Sequence, residues 1–216
     1  MSPTHRSAQK ERTREKLLQV ALSEFSARGV MATRMSDVAR AAGVSHGTVF
    51  AHFETQAALI TAVIETFGPA MTRRIHELAS DHAGLRSVLS AHLGGIREYE
   101  AFYTRLVLEA RFLPRAARDT FILIQSAVSF HISQVAEAEM EAGHIRPASI
   151  PLLFNTWVGL VHYYLANADL FAPGGSVIDR YGDALVDHFI NLISTGQTGP
   201  NSPVRPVKHL PHEEHF

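Results

Sequence analysis

Histidine is the residue type of this chain best suited to metal or proton chemistry, because 13 of the 216 residues are histidines. His209, His212 and His215 recur at every third position near the end of the chain, and three histidines are enough to bind zinc, nickel or copper. That segment is rich in proline, glycine and asparagine, so it offers no packed shell to orient metal ligands. A second candidate set within the body consists of His92, His131 and His162. Buried histidines of this kind need only satisfy core hydrogen bonds, so we predict no metal site and no cofactor.

Catalytic motifs are weakly represented. His76-Glu77 begins the pattern His-Glu-x-x-His of zinc proteases, but position 80 is a serine. Neither the glycine-rich phosphate loop nor the Gly-x-Gly-x-x-Gly dinucleotide motif is present in the chain. We therefore expect a protein that is not an enzyme.

The stretch from Val38 to Phe53, VARAAGVSHGTVFAHF, has the spacing of two short helices joined by a tight turn. Gly43 supplies a backbone twist that a side chain would oppose, and Ala39 is small enough to let the helices cross closely. The core between the two helices is assigned to Val38, Ala42, Val44, Val49 and Phe53. This pattern predicts a helix-turn-helix whose second helix enters the major groove of DNA. An ordinary helix corner with a glycine turn is the alternative.

Charge is distributed unevenly along the chain. Residues 1–53 contain eight Lys or Arg and four Asp or Glu, a net charge of +4, whereas the remainder contains 12 basic and 17 acidic residues, a net charge of −5. A basic end on an acidic body indicates a polyanionic partner at that end, although chance clustering would look the same. Cysteine is absent, which excludes disulfides and thiolate metal sites. No signal peptide opens the chain, so we expect a cytoplasmic protein.

Apolar residues recur at helical spacing throughout, which predicts an all-α fold. Predicted helices span 7–28, 36–42, 45–53, 56–79, 85–100, 102–112, 115–142, 149–169 and 177–194. Ser36, Ser45 and Thr55 are the expected caps of the second, third and fourth helices, and Pro69 is expected to kink or interrupt the fourth. Residues 147–168 lack charged side chains, but their prolines and asparagines favour a helix buried in a dimer over a membrane span.

Residues 14–60 resemble the N-terminal domain of the tetracycline-repressor (TetR) family. The resemblance rests on Ala21, Leu22, Phe25, Gly29, Thr33, Val38-Ala39, Ala42-Gly43-Val44-Ser45, Gly47-Thr48, His52-Phe53 and Leu59. It implies a dimeric, all-helical transcriptional regulator, most simply a repressor that a small ligand releases from a palindromic operator. The implied organisation is a helix-turn-helix domain at 1–55, a ligand-binding and dimerisation domain at 56–195, and a loose tail at 196–216. A helical interaction or ligand-binding module with weakened DNA binding is the alternative.

The resemblance also implies which residues contact DNA. Contacts to phosphate or sugar are expected from Arg6, Thr33, Arg34, Ser36, Ser45 and Thr48. Base contacts are expected from His46, Gly47, Thr48 and Ala51, whereas His52 is expected to meet the backbone. Phe50 and Gln56 lie on the same surface but depart from the family, which usually has a tyrosine and a lysine there. Each lost phosphate contact would weaken binding and reduce its salt dependence.

The family also implies a ligand cavity among the helices that follow. The predicted lining residues are Phe67, Met71, His92, Ile96, Tyr99, Phe102, Tyr103, Phe121, Gln125, Phe130, Trp157 and Val161. They predict a small, mainly apolar or aromatic ligand with one hydrogen bond to His92 or Gln125, although each aromatic residue would serve equally as core.

The last two predicted helices carry more apolar residues than one core-facing side needs. These are Val158, Val161, Leu165, Ile178, Tyr181, Leu185, Phe189 and Leu192. They predict a second buried surface that forms a four-helix bundle in a homodimer.

Overall fold

The structure, a computed structural model, describes residues 3–78 and 84–195. Side chains are described for all of these residues except 3, 4, 6 and 70–78. These residues form α1 (Pro3–Arg28), α2 (Met35–Ala42), α3 (His46–Phe50), α4 (Gln56–Leu78), α5 (Leu85–Glu98), α6 (Glu100–Glu109), a 3₁₀ turn (Ala110–Phe112), α7 (Arg115–Glu141), α8 (Ile150–Ala166), α9 (Ala168–Phe171) and α10 (Val177–Ile193). The described part of the chain contains no strand, and one isolated bridge pairs Ile145 with Ser194. The all-α prediction is confirmed.

The first three helices pack around the apolar stripe of α1. Leu17, Ala21 and Phe25 are fully buried on that stripe, and α2 packs against α1 while α3 packs against α2. Gly29 ends α1 with φ at +100°, a conformation that side chains resist. The predicted start of α2 was wrong by one residue. Arg34 is its cap residue, and the Asp37 carboxylate accepts from the Arg34 backbone N–H at 3.0 Å, so Ser36 lies inside the helix.

The remaining helices pack around α5. Its buried side includes Leu89, His92 and Ile96, and it contacts α4, α7 and α10. Thr55 caps α4 as predicted, because its hydroxyl accepts from Ala58 N at 3.0 Å. α4 continues as one helix through Pro69, so the predicted interruption is not observed. Within the described ranges, no helix is both long and apolar enough to cross a membrane.

Most of the apolar residues that predicted a dimer surface lie in the core of the single chain instead. Val161, Leu165, Ile178, Leu185 and Phe189 are buried within the single chain, so they belong to its own core and give no evidence of a second surface. Val158 and Tyr181 are partly buried, and only Leu192 of the set is exposed. The apolar side chains that α8 and α9 leave exposed are instead Leu152, Tyr163 and Leu170.

Candidate nucleic-acid interface and ligand cavity

The turn between α2 and α3 has the geometry that the sequence predicted. Gly43 adopts the left-handed conformation, with φ at +66°, and its N–H donates to Arg40 O at 3.1 Å. Val44 N donates to Ala39 O at 3.0 Å, which closes the turn. Ser45 caps α3 by accepting from Thr48 N at 3.1 Å. On the other side of the turn, Lys16 donates to Ala42 O at 2.8 Å and so satisfies the end of α2.

Residues 43–47 read Gly-Val-Ser-His-Gly and therefore match the Gly-x-Ser-x-Gly pattern of serine hydrolases in form. That pattern needs a sharp strand-to-helix turn with a histidine base on the serine hydroxyl. Here the serine follows a helix, and the Ser45 hydroxyl lies 2.9 Å from the Thr48 hydroxyl. Ser45 is therefore a helix cap, and the match carries no catalytic arrangement.

α3 buries one side and exposes the other. Val49 and Phe53 are buried, whereas His46, Gly47, Phe50 and Ala51 are exposed, and Thr48 is partly exposed. The Phe50 ring is 42% exposed and meets the His46 ring edge-on at 4.8 Å between centroids. The predicted base-reading residues are thus all exposed or partly exposed, at α3 and the residue that follows it.

The predicted phosphate contacts divide into two groups. Arg34 and Ser36, at the start of α2, are exposed and therefore available to a partner. Thr33 is fully buried, and its hydroxyl donates to Gly29 O at 2.7 Å. The expected contact from the Thr33 side chain is therefore wrong, since its role is to hold the loop between α1 and α2. Gln56 supports the same loop by donating to Thr33 O at 2.9 Å. The side chain of Arg6 lies outside the described residues.

His52 lies partly buried at the end of this surface. Its Nδ1 is buried and has no hydrogen-bond partner in the described part of the chain. Burial lowers the pKa of His52, and the positive charges of Lys10 and Arg14 lower it further. Arg14 itself lies over the Phe53 ring at 5.1 Å from its centroid. Basic residues of α1 therefore lie near His52 and Phe53, which follow α3.

A cavity of about 640 Å³ lies between α6, the 3₁₀ turn, α7 and α8. Its lining consists of Val107, Ala110, Arg111, Arg118, Phe121, Ile122, Gln125, Ser126, Ser129, Phe154, Asn155 and His162. The volume is in the range of small-molecule sites. Of the predicted ligand residues, Phe121 and Gln125 line it. Sequence reasoning missed Arg111, Arg118 and the polar residues of α8, because nothing in their spacing marks them.

The other predicted ligand residues lie elsewhere. Phe67, His92, Ile96, Trp157 and Val161 are buried in the core and line neither the cavity of about 640 Å³ nor the larger crevice of about 1020 Å³. Tyr99 and Phe102 line a second, larger crevice of about 1020 Å³ between α1, α6 and the α8–α10 region. Phe130 is 60% exposed on α7 and lines neither of these two cavities. The side chain of Met71, like the tail histidines 209, 212 and 215, lies outside the described residues.

Two histidines lie close together in the core, and one of them, His162, lines the smaller cavity. His162 Nε2 lies 2.9 Å from the Tyr103 hydroxyl, and Trp157 Nε1 donates to His92 Nδ1 at 3.0 Å. Burial lowers the pKa of His162 to about 4 and that of His92 to about 3. Both rings are therefore uncharged at neutral pH. In the described residues no three His, Asp or Glu side chains are placed to hold a metal ion, and His131 does not join the other two histidines.

α6 joins this cavity to the loop between α1 and α2. The Glu109 carboxylate accepts from Val30 N at 3.1 Å and from Met31 N at 2.7 Å. One turn earlier, Arg105 approaches the carbonyl oxygens of Ser26 and Ala27, at 3.5 and 3.4 Å, at the negative end of α1. We call Arg105 and Glu109 the α6 clamp. Val107, between them, and Ala110, immediately after them, line the cavity.

Comparison with known proteins agrees with this architecture. Residues 17–63 match the family described as "Bacterial regulatory proteins, tetR family". The HTH-type transcriptional repressor Rv3405c of Mycobacterium tuberculosis is 41% identical over 63 residues, which cover 29% of this chain and 34% of that repressor. This chain thus spans about a third of the length of that relative.

Solved structures extend the likeness to most of the chain. The TetR-family regulator PfmR of Thermus thermophilus has a TM-score of 0.68 at 18% identity, covering 81% of this chain and 97% of PfmR. FadR of Bacillus subtilis, solved in complex with stearoyl-CoA, has a TM-score of 0.69 at 14% identity, covering 82% of this chain and 97% of FadR. Residues 17–63 thus match the tetR family of bacterial regulatory proteins, and the described chain shares the fold of these two solved regulators.

Proposed function

We propose that this chain is a transcriptional repressor that binds a palindromic operator as a homodimer and is released from it by a small ligand. The observation that carries the proposal is the turn at Gly43, which places α3 with an outward surface formed by His46, Gly47, Phe50 and Ala51. Small and polar residues on such a surface suit contact with base edges and thymine methyl groups. Residues 1–55 would form the DNA-binding unit, and residues 56–195 the ligand-binding and dimerisation unit.

The dimer is proposed to form through α8 and α10. Leu152 and Tyr163 on α8 and Leu192 on α10 are large, exposed apolar residues that a partner copy would cover. A two-fold dimer presents two α3 helices and therefore requires half-sites one helical turn or more apart.

The α6 clamp supplies a route by which a ligand could act on DNA binding. A ligand in the cavity would contact Val107 and Ala110, and a shift of this end of α6 would pull on the loop that precedes α2. The ligand lowers operator affinity only if it binds the DNA-incompetent arrangement more tightly. α4 is a parallel route, because it packs against α1, α5 and α7.

A second candidate function is a helical interaction or ligand-binding module with weak DNA binding. It is favoured by Phe50, which offers no hydroxyl to a phosphate, and by Gln56, whose amide is engaged with Thr33 O. It predicts equal, weak binding to all DNA.

The two candidate functions are separated by measuring the affinity of the chain for the DNA upstream of its own gene and for a scrambled duplex. Both affinities are measured at low and at near-physiological salt. The repressor proposal expects tight, salt-sensitive binding that prefers the upstream duplex. Weak binding without preference at either salt would reject it in favour of the second candidate.

A further inference from the structure

Two arginines at the cavity of about 640 Å³ stand out because they have no partner. Arg111 in the 3₁₀ turn and Arg118 on α7 both line the cavity and are exposed, and neither makes a hydrogen bond or ion pair within the described residues. Three other arginines are engaged. Arg115 pairs with Asp119 at 3.5 Å, Arg97 pairs with Asp179 at 2.5 Å, and Arg105 contacts the end of α1.

The charge of the lining makes this pair unusual. Among the described residues, no Asp or Glu lines the cavity, and its only formal charges are the two guanidinium groups. Residues 54–216 carry a net charge of −5, so an acid-free, doubly basic cavity is contrary to the composition around it. The larger crevice differs, because two arginines there are joined by Glu98, Glu100, Asp169 and Asp179.

The rest of the lining is apolar or neutral. Phe121 and Phe154 present aromatic rings, and Val107, Ala110 and Ile122 add aliphatic surface. The Ser126 hydroxyl is already bonded to Ile122 O at 2.9 Å, and the His162 ring is bonded to Tyr103. A ligand inside would therefore meet apolar surface, the neutral side chains of Gln125, Ser129 and Asn155, and positive charge at the two arginines.

We propose that this cavity binds an amphipathic anion, a molecule with a single carboxylate or phosphate head between Arg111 and Arg118 and an apolar body against Phe121 and Phe154. Guanidinium groups suit this head because their planar donors bind carboxylate and phosphate oxygens in pairs. This inference rests on the proposed function, and it changes the expected ligand from a mainly apolar molecule to an anionic one.

The test is calorimetry of the full chain with probes that share one ten-carbon tail: decanoate, decyl phosphate, decanol and decylammonium, each below its micelle concentration. The two anions are expected to bind at least about tenfold more tightly than decanol, because each hydrogen bond to a charged group is worth about one to two powers of ten. Decylammonium is expected to bind most weakly. Preference between the two anions identifies the head group and supports the proposal in either direction.

The variants Arg111→Gln and Arg118→Gln should each weaken decanoate binding by about tenfold and leave decanol binding unchanged. Arg115→Gln is the matched control, since it lies on the same helix outside the lining, and thermal unfolding verifies that all three variants fold. Equal binding of decanoate and decanol, indifference to both substitutions, or no binding of either anion would overturn the proposal.

A DNA-binding arm separates this inference from the proposed function. Anion binding that depends on both arginines but leaves the affinity for upstream DNA unchanged supports the ligand class and contradicts ligand-controlled release. Anion binding that lowers DNA affinity supports both.

Discussion

Removing the Glu109 carboxylate should loosen the loop between α1 and α2 and uncouple it from the cavity. Glu109 accepts two backbone hydrogen bonds, and one donor, Val30, is a fully buried residue. Hydrogen bonds to a charged group contribute about 1.5–3 kcal/mol each. Because the side chain is partly exposed, the lower value applies. Glu109→Ala is therefore expected to lower the free energy of unfolding by roughly 2–3 kcal/mol, and Glu109→Gln, which keeps one oxygen, by about half that.

Urea unfolding measures the first effect, with Glu137→Ala as the control because Glu137 is an exposed acid on α7. The second effect is measured by fluorescence anisotropy of labelled upstream DNA, with and without decanoate. Coupling between two sites is commonly about 5- to 150-fold in affinity. In Glu109→Ala the ligand-induced change should fall below about threefold if the α6 clamp carries most of the coupling.

Gly29→Ala should act in the same direction from the other side of the contact. A Cβ at Gly29 would lie 2.8 Å from Glu109 Oε1, and φ at this position is +100°. The added methyl group would displace the carboxylate and strain the loop. If Glu109→Ala kept both the wild-type unfolding free energy and the full ligand effect, the α6 clamp would be neither a structural tie nor a coupling element.

Two further predictions concern titration and phosphate contact. Burial lowers the pKa of His92 to about 3, below the value of about 6.5 expected in the unfolded chain. The neutral ring therefore stabilises the fold fully above pH 6.5, and this stabilisation is lost as the pH falls toward 3. Between pH 7 and pH 5 the free energy of unfolding should fall by about 2 kcal/mol through this group. Urea unfolding at several pH values should show that His92→Gln abolishes this part of the loss. His188→Gln is the control, because His188 is exposed on α10, and it should keep the loss. Equal pH dependence of the unfolding free energy in wild type, His92→Gln and His188→Gln would contradict the assignment. Gln56→Lys should tighten DNA binding and steepen its salt slope by about 0.9, while Gln134→Lys on the exposed side of α7 should leave the slope unchanged. An unaltered slope in Gln56→Lys would remove that position from the interface.

Local patterns carried most of what the sequence could predict. The turn at Gly43 and the caps Ser45 and Thr55 depend on neighbours within a few residues, so spacing alone identified them. The α6 clamp joins residues 78–79 positions apart, and no periodicity marks such a pair. The two arginines at the cavity likewise become a site only when α6, α7 and α8 come together around it.

Apolar residues were assigned to the wrong surface where a helix carries apolar groups on several sides. Phe130 shares α7 with the buried Phe121 and Val128, but it projects to the exposed side. Phe189 and Leu185 on α10 serve the chain's own core. Composition gives the amount of apolar surface on a helix, whereas the packing of its neighbours decides which part stays exposed.

Replacing Gly47 tests most directly whether α3 is a recognition helix. Gly47 is exposed, and a Cβ there would meet only Ser45 Oγ, at 3.8 Å, so Gly47→Gln should fold with undiminished stability. The measurement is anisotropy of labelled upstream DNA titrated with wild type and Gly47→Gln at two salt concentrations, with unfolding curves in parallel. We predict an unchanged unfolding midpoint and a loss of specific binding of at least about tenfold, because the added side chain fills the space between helix and groove. Unchanged, sequence-selective binding by Gly47→Gln would contradict insertion of α3 into the major groove.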